Sequence, residues 1–496
     1  MRRVTVDRLG FAVLLVLVFL VALRPALDND TWWHLRTGEL ILDQGIPHVD
    51  PFSHTRPLVD RVATDWGSQV LFRVLWGIGS GPLLAVVVAL VATAGIAVLY
   101  AATRGPVLLR AGVCLLAALA ASYFWAARPQ MFTFLAGAVV VAVIRRWRDR
   151  PRPALLWALV PVFVVWANLH GGVAYGFLVL AATLVGEAGN RVVHRWQPLG
   201  VVGVAPKAGR DLAWLAGVSA VCVAAVVLNP SGVRIYSLAL HQTSSSVRYV
   251  QEYQPPSLAD PATWPFFLLA AATVAAMAVR WRRLDLVDVL LVGGVGLFAA
   301  RVGRVISFFA EVAAPVLSRN AAEALEERGA WDPDAPPAAV PAGVAAVTAV
   351  VAAAVLVVGS ARRLDGDAVS AAERAAYPVE ATDWLLAQHP PARLFNTFDW
   401  GGYLIWRAPG YRVAIDGRTD VYDDYLDTYA SVITAQPGWE DELRREQVNT
   451  VVVDTGAPLA AALTASPGWR VGHRDDVATV FVRLDPLAVD PRLPGE

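Results

Sequence analysis

The sequence is poor in charged residues and nearly lacks lysine and cysteine. Charged side chains make up 17% of its 496 residues, whereas 56% are hydrophobic; ordinary soluble proteins have about 25% charged residues. The formal net charge is +0, so no basic excess indicates a nucleic-acid partner. Lys207 is the only lysine, and the remaining basic residues are arginine. This composition excludes an ordinary soluble protein and indicates an integral membrane protein.

The two cysteines, Cys114 and Cys222, lie in apolar segments far from any other cysteine. Such positions suit small buried side chains. They exclude a disulfide framework or a cysteine metal site.

Long apolar runs are abundant. A helix needs roughly 17 to 25 apolar residues to cross a bilayer, and about eleven segments of the chain are apolar over a comparable length. We predict spans at 9–27, 81–100, 107–125, 129–147, 153–169, 171–188, 211–229, 263–279, 285–300, 303–318 and 341–360. The expected fold class is an α-helical polytopic membrane protein.

The distribution of basic residues predicts the orientation. They are concentrated in alternate connections, for example at 145–152, 191–210, 280–283 and 319–328, and such connections are usually cytoplasmic. The N-terminus is then inside, whereas Asp28 onward and the tail from 361 are outside. Arg24-Pro25 ends the first segment without a small-residue cleavage site, which favours a retained anchor. The arginine, alanine and valine bias suggests a high-GC bacterial genome, hence a bacterial cytoplasmic (inner) membrane.

The tail, 361–496, differs in composition from the rest. Its β-rich runs predict strands at Arg412–Ile415, Thr450–Val453 and Ala478–Val482, and helices are predicted at Ala371–Gln388 and Trp439–Gln447. Alternating strands and helices are typical of a small α/β domain. We therefore predict a transmembrane domain at 1–360, with an external loop at 28–80, and an extracytoplasmic domain at 361–496.

Polar residues at the ends of the spans fall on the predicted outer side. They are Asp28, Asp30, His34, Arg36, Arg128, Asn168, His170, Glu252, Arg301 and Arg304. Ionisable groups at such depths are costly and often functional. Each also has a structural explanation: the two acids can cap a helix, His170 can be a satisfied core histidine, and the arginines can snorkel to the interface. Their coincidence on one face favours a site there.

The external loop begins with an amphipathic segment. Thr31–Gln44 carries Trp32, Leu35, Ile41 and Leu42 among polar residues, a pattern that predicts an interfacial helix lying on the membrane. His54 and Asp65 continue the loop and are further candidates for the site.

The segment Asp30-Thr31-Trp32-Trp33-His34-Leu35-Arg36 resembles the opening of the first external loop in oligosaccharyltransferase catalytic subunits. These belong to the C-type (GT-C) membrane glycosyltransferases, which use polyprenyl-phosphate-linked sugar donors. The resemblance implies that Asp30, with Asp28 beside it, is catalytic. Glu252-Tyr253-Gln254-Pro255 resembles the family's acceptor-side glutamate motif. Phe398-Asp399-Trp400-Gly401-Gly402-Tyr403 resembles its Trp-Trp-Asp-Tyr-Gly motif, which puts Asp399 and Trp400 on the acceptor side.

Two departures from the family are clear. Thr397-Phe398 replaces the first tryptophan of the tail motif, and the loop after the third span holds Arg128-Pro129-Gln130 where the family often has Asp-x-Asp. A divalent metal, Mg or Mn, would therefore depend on Asp28, Asp30 and Glu252.

The expected activity is glycosyl transfer at the outer face of the membrane. Sugar transfer needs a carboxylate to deprotonate or orient the acceptor and positive charge on the leaving phosphate. Asp30 or Asp28 would supply the carboxylate. The phosphate-side candidates are Arg128, Arg301, Arg304, His170 and Arg36, because guanidinium groups match phosphate oxygens. The acceptor could be a glycan, a protein or a lipid.

Two other classes of protein stay open. A transporter or flippase of lipid-linked sugars would also gather polar residues, with ionisable groups near the membrane midplane and often internal repeats. A non-catalytic membrane scaffold would keep the external binding domain and tolerate loss of the first-loop acids.

Overall fold

The computed structural model describes residues 4–57, 59, 62–196, 207–239 and 249–488. Contacts within the chain divide it into two compact units. Unit 1 comprises 1–24, 85–235 and 251–363, and unit 2 comprises 25–84, 236–250 and 364–496. The boundary therefore groups the segment 28–80, which is predicted to be an external loop, with the tail.

Unit 1 is made of apolar helices. The helices before residue 170 are α1 (Val6–Ala22), the second half of α3 (Trp66–Ala102), α4 (Val107–Ala121), α5 (Gln130–Asp149), α6 (Pro153–Trp157) and α7 (Leu159–Leu169). The later ones are α8 (Val173–Trp196), α9 (Gly209–Ala225), α10 (Trp264–Val279), α11 (Leu286–Ala299), α12 (Ile306–Glu327) and α13 (Ala342–Arg363). Each predicted span is helical over most of its length. Cys114 and Cys222 are buried and free.

Six helices of the described residues are long and apolar enough to cross a membrane. α4, α10 and α12 pack together, and α8 packs on α5 and α11. α3 has 37 residues but breaks at Gly79 and Ser80, whose backbone angles are not helical. Pro82 follows in the first turn after the break, where a missing N–H costs little. The predicted span 81–100 begins at this break.

Unit 2 combines α2 (Asn29–Gln44) and the first half of α3 with the tail. The tail helices are α14 (Gly366–Ala376), α15 (Val379–Gln388), α16 (Gly401–Arg407), α17 (Thr419–Tyr422), α18 (Leu426–Ile433), α19 (Trp439–Arg445) and α20 (Pro458–Ala465). The strands β1 (Leu394–Asn396), β2 (Thr450–Asp454), β3 (Trp469–Arg474) and β4 (Ala478–Arg483) form one sheet in the order β1-β2-β4-β3. β1 and β2 are parallel, and the other two pairs are antiparallel.

The core of unit 2 lies between this sheet and its helices. Phe395, Val451 and Phe481 from the strands pack with Tyr425 and Leu463 from the helices, and each of the five is at most 2% exposed. Burial of each such side chain stabilises the fold by roughly 1.5–3 kcal/mol. The tail is thus the small α/β fold that its alternating pattern predicts.

Two predicted tail elements need correction. The segment Ala371–Gln388 forms two helices because Tyr377 is extended, with φ −124° and ψ 153°, and Pro378 disfavours a helical residue before it. The predicted strand Arg412–Ile415 is absent as a strand. Only Val413 makes β-bridges, to Leu394 and Ser53, because the chain turns at once into the buried Asp416.

Candidate functional site

The first-loop acids lie at the N-terminus of α2. Asp28 is the N-cap: its Oδ1 accepts the N–H of Asp30 at 3.0 Å. Asp30 Oδ1 accepts the indole N–H of Trp33 at 3.0 Å. Carboxylates at this end of a helix are stabilised by its orphan N–H groups and dipole. Asp28 therefore has the capping role that the sequence allows, and the orientation of Asp30 is fixed by Trp33.

The aromatic face of α2 is covered by protein within unit 2. Trp32 is 3% exposed and its ring meets those of Tyr377 and Tyr403 edge-on, at 5.6 and 5.3 Å. The predicted helix is therefore present, and its tryptophans pack against the tail. Its position on a membrane surface stays a prediction.

The tail motif packs on the start of α2. Asn29 Nδ2 donates to Asp399 Oδ1 at 3.0 Å, and Trp400 is buried with its indole N–H on Ala376 O at 3.0 Å. A Cβ on Gly402 would lie 2.3 Å from Asn29 O, and one on Gly417 would lie 2.0 Å from Asp30 Oδ1. Two of the three segments that carry the resemblance thus meet inside unit 2.

A buried ion cluster, which the sequence did not single out, lies beside this contact. Arg418 is 2% exposed; its Nε donates to Asp416 Oδ1 at 2.6 Å and its Nη1 donates to Asp50. Tyr422 donates its hydroxyl to Asp416 Oδ2 at 2.7 Å. Burial works to raise the pKa of Asp416, but the charge and hydrogen bonds of Arg418 outweigh it and hold that pKa below its usual value.

The guanidinium of Arg418 also lies over aromatic rings. It is 5.7 Å from the ring of Trp33 and 5.0 Å from that of Phe52, within reach of a cation–π interaction. Since Trp33 holds Asp30, this cluster fixes the residue behind the candidate carboxylate.

The other loop candidates have structural partners. His34 is buried, stacks on Trp33 and lies 3.2 Å from Gln69 through Nδ1. His54 Nε2 lies 3.1 Å from Leu394 O, and burial lowers its pKa to about 4. Arg36 pairs with Glu39, which also binds Arg73. Asp65 accepts the hydroxyl of Thr64 at 3.2 Å, next to the start of α3.

A second polar cluster lies in unit 1, where α5 and α12 begin. Glu252 bridges two arginines, with Arg128 Nη1 3.2 Å from Oε2 and Arg304 Nη1 3.7 Å from Oε1. Arg304 also donates to the hydroxyl of Tyr253 at 2.5 Å. Glu252, Arg128 and Arg304 thus lie together, as candidates for one site would. The sequence analysis places the glutamate on the acceptor side and the arginines on the phosphate side. Arg301 is exposed and makes no ion pair in the portion of unit 1 that is described.

His170 lies one turn into the same end of the bundle. Its Nδ1 accepts the N–H of Gly172 at 3.1 Å and lies 2.6 Å from Thr133 Oγ1. Asn168 donates to the carbonyls of Val164 and Leu228 at 2.9 and 2.8 Å. Asn168 therefore joins the ends of α7 and α9. This is a structural role, whereas the sequence predicts Asn168 as a site candidate.

Glu311 is a buried acid that the sequence analysis did not single out, because it lies inside a span and not at its end. It lies inside the predicted span 303–318 and is 0% exposed. Tyr175 lies beside it against Gly137. The sequence indicates this residue only by a single acid within an apolar run, Phe309-Ala310-Glu311-Val312.

No three His, Cys, Asp or Glu side chains gather as a metal site among the residues that the structure describes. Asp28 and Asp30, two of the predicted ligands, accept hydrogen bonds from α2 and Trp33. Binding of Mg or Mn by Asp28, Asp30 and Glu252 therefore stays a prediction.

Known proteins provide a comparison for the fold. No family model and no curated protein matches the chain. Solved structures do match, including the archaeal oligosaccharyltransferase AglB from Archaeoglobus fulgidus in complex with an inhibitory peptide and a dolichol-phosphate. The TM-score is 0.54 and the identity 12%, over 89% of this chain and 69% of AglB. A second structure of this enzyme, tethered to an acceptor peptide with the NVT sequon, gives 0.54 and 13% over 95% and 74%.

ArnT from Cupriavidus metallidurans in the apo state also matches. Its TM-score is 0.50 and its identity 17%, over 95% of this chain and 96% of ArnT. These neighbours are GT-C glycosyltransferases. The chain is therefore a polytopic membrane protein with a GT-C-like fold, as its first-loop resemblance predicts.

Proposed function

We propose that the chain is a glycosyltransferase that moves a sugar from a polyprenyl-phosphate carrier to an acceptor at the outer face of the membrane. The packing of the first-loop acids against the tail motif carries this proposal, because 370 residues separate Asn29 from Asp399. Both segments resemble the same family, and both meet in unit 2. The AglB complex with a dolichol-phosphate supports a lipid-linked donor.

Asp30 is the proposed catalytic carboxylate. It would accept the proton of the acceptor nucleophile, or orient it, as the new bond forms at the anomeric carbon and the bond to the carrier phosphate breaks. The hydrogen bond from Trp33 to Oδ1 fixes the direction of the carboxylate. Asp28 caps α2 and is a positioning residue for Asp30.

Arg128 and Arg304 are the proposed groups for the leaving phosphate. They share one carboxylate, that of Glu252, so the cluster carries a net positive charge that a phosphate would neutralise. Arg301 and His170 belong to the same end of the bundle and are secondary candidates. Glu252 then acts on the donor side by bridging the two arginines.

The decisive test compares Asp30→Asn with wild type in membranes supplied with labelled polyprenyl-linked sugars, single and oligomeric. We expect transfer to fall about 100-fold or more, the usual contribution of a positioned acid or base. Asp43→Asn, an exposed acid on the same helix, is the matched control and should keep activity. Asp28→Asn should also keep most activity because asparagine caps helices well.

Full transfer by Asp30→Asn at normal protein levels would overturn the assignment of the carboxylate. The active donor in wild-type membranes distinguishes hexosyl from oligosaccharyl transfer.

Glu311 favours one second candidate, a flippase of lipid-linked sugars. Buried ionisable groups inside spans are typical of transport pathways. Glu311→Gln keeps the side-chain volume and removes the charge. If Glu311→Gln abolishes movement of the lipid carrier across vesicle membranes but leaves glycosyl transfer intact, the result supports transport. Glycosyl transfer that depends on Asp30 supports the enzyme.

A further inference from the structure

A large cavity lies in unit 1, at the end of its helices opposite to Arg128 and Arg304. Its volume is about 700 Å³, and its walls come from the ends of α3, α5 and α12. α5 has 20 residues between Gln130 and Asp149, so roughly 30 Å of helix separates this cavity from the start of the same helix. It is therefore distinct from the Glu252 cluster.

The cavity is strongly basic. Seven basic and three acidic side chains line it. Below it, Arg148 binds Glu187 and Asp285, each at 2.7 Å, and Arg145 Nη1 binds Asp288 Oδ1 at 2.5 Å. Arg319 completes this network on Asp285 and Asp288. Three arginines thus balance three buried carboxylates.

Other basic residues of the cavity are not neutralised by this network. Arg146, Arg150 and Lys207 line it, and none of the three makes an ion pair with another described residue. Uncompensated charges around a concave surface attract anions.

One buried donor also lacks an acceptor. Arg145 is 7% exposed, lines the cavity, and its Nη2 has no hydrogen-bond partner among the described residues. Leaving a buried donor unpaired destabilises the folded chain. An anion in the cavity would remove this cost.

We propose that this cavity binds a phosphate group, through Arg145, Arg146, Arg150 and Lys207. Arginine forks match phosphate oxygens. Ala142, Val143 and Leu155 add apolar wall beside the charges, so an anionic lipid whose tails lie among the spans fits the cavity. A free phosphate offers the same oxygens without the tails.

The test uses the purified full chain in detergent and counts bound phosphatidylglycerol by native mass spectrometry. Inorganic phosphate is titrated in a parallel arm, with protection against thermal unfolding as the measure. The variant Arg146→Gln/Arg150→Gln/Lys207→Gln leaves the buried network intact. Arg152→Gln/Arg210→Gln/Arg328→Gln is the matched control, because it removes three exposed charges outside the lining.

We expect the cavity variant to bind phosphatidylglycerol at least about tenfold more weakly, since it removes three basic side chains that attract an anionic headgroup. The control should bind as wild type does. Saturable protection by inorganic phosphate that the cavity variant loses, without lipid binding, identifies free phosphate as the ligand of the same site.

Arg145→Lys gives a second measure, because it keeps the charge for Asp288 and removes the orphan Nη2. It should weaken binding in whichever arm is positive. Equal losses in the cavity and control variants would show general charge attraction and overturn the proposal. Unchanged binding in the cavity variant, or no binding of either probe to wild type, would overturn it too.

Discussion

At the residue scale, Arg418 links segments that are distant in sequence near the candidate carboxylate. It joins Asp416 on its own loop to Asp50, 368 residues away in the segment between α2 and α3, and lies against Trp33. Nothing in the local sequence marks it, because both the loop Asp416-Gly417-Arg418 and Asp50 are ordinary turn residues. A pattern along the chain cannot show a partner that folding brings from 368 positions away.

Replacing Arg418 with methionine should destabilise unit 2 by about 3–5 kcal/mol, because two buried carboxylates lose their counter-ion. The loss is measurable as a lower midpoint of thermal unfolding of the full chain in detergent. The control is Arg445→Met, since Arg445 is 70% exposed and pairs with Glu442 on its own helix; exposed pairs contribute under about 1 kcal/mol. Equal stability of both variants would show that the cluster contributes little.

His54 predicts a pH dependence of stability. Burial lowers its pKa to about 4 in the folded chain from an ordinary value of 6.5, and Arg393 and Arg412 add to this effect. Between these values the unfolded chain binds a proton that the folded chain does not, so stability falls as pH drops from 6.5 toward 4. The full effect is about 3 kcal/mol.

The variant His54→Gln should flatten this part of the stability curve. Unfolding midpoints at pH 7 and pH 5 provide the measurement. His389→Asn is the control, because His389 is exposed and its left-handed backbone suits asparagine. A slope that persists in His54→Gln would assign the acid sensitivity to other groups.

At the element scale, the contact between α2 and α16 determines the geometry of the candidate site. Glycine allows it, since the backbone of Asn29 approaches Gly402 so closely that no Cβ fits. The sequence showed both segments through their motifs and predicted the helix α2, but it did not predict the helix α16. It did not show β1 or β3, because three residues at Leu394–Asn396 carry too short a pattern, and Trp469–Arg474 is largely exposed and polar.

Gly402→Ala should displace α2 from α16 and reduce glycosyl transfer by tenfold or more, since about 1 Å of misplacement can cost 100-fold. Transfer and the unfolding midpoint should be measured together. Gly410→Ala is the control, because a Cβ there meets nothing within 4 Å. Normal transfer by Gly402→Ala would show that the site does not need this contact.

At the scale of the whole molecule, composition and apolar run length predicted the helices of unit 1 well. Hydrophobic length is a strong signal because lipid leaves few alternatives to a helix. The grouping of 25–84 with the tail was not predicted, because it rests on aromatic contacts such as Trp32 with Tyr403 rather than on any linker or change in composition. The basic cavity was hidden for the opposite reason, since the topology rule already accounts for arginine at that end.

The orientation can be tested by chemical labelling. Cys114 and Cys222 are 0% exposed, so the wild type should not react with a membrane-impermeant maleimide on intact cells. Asp441→Cys, exposed on α19, should react, whereas Arg152→Cys should react only after lysis. The reverse pattern would invert the predicted topology.

The pairing of Asn29 with Asp399 has a consequence for biosynthesis. A ribosome adds about 5–20 residues per second, so the first loop emerges about 20 to 70 seconds before the segment that covers Trp32 is complete. During that time Trp32 is not covered by its partners Tyr377 and Tyr403. A nascent chain stalled before residue 377 should therefore expose this loop to protease or to a chaperone, although most of its spans are already made.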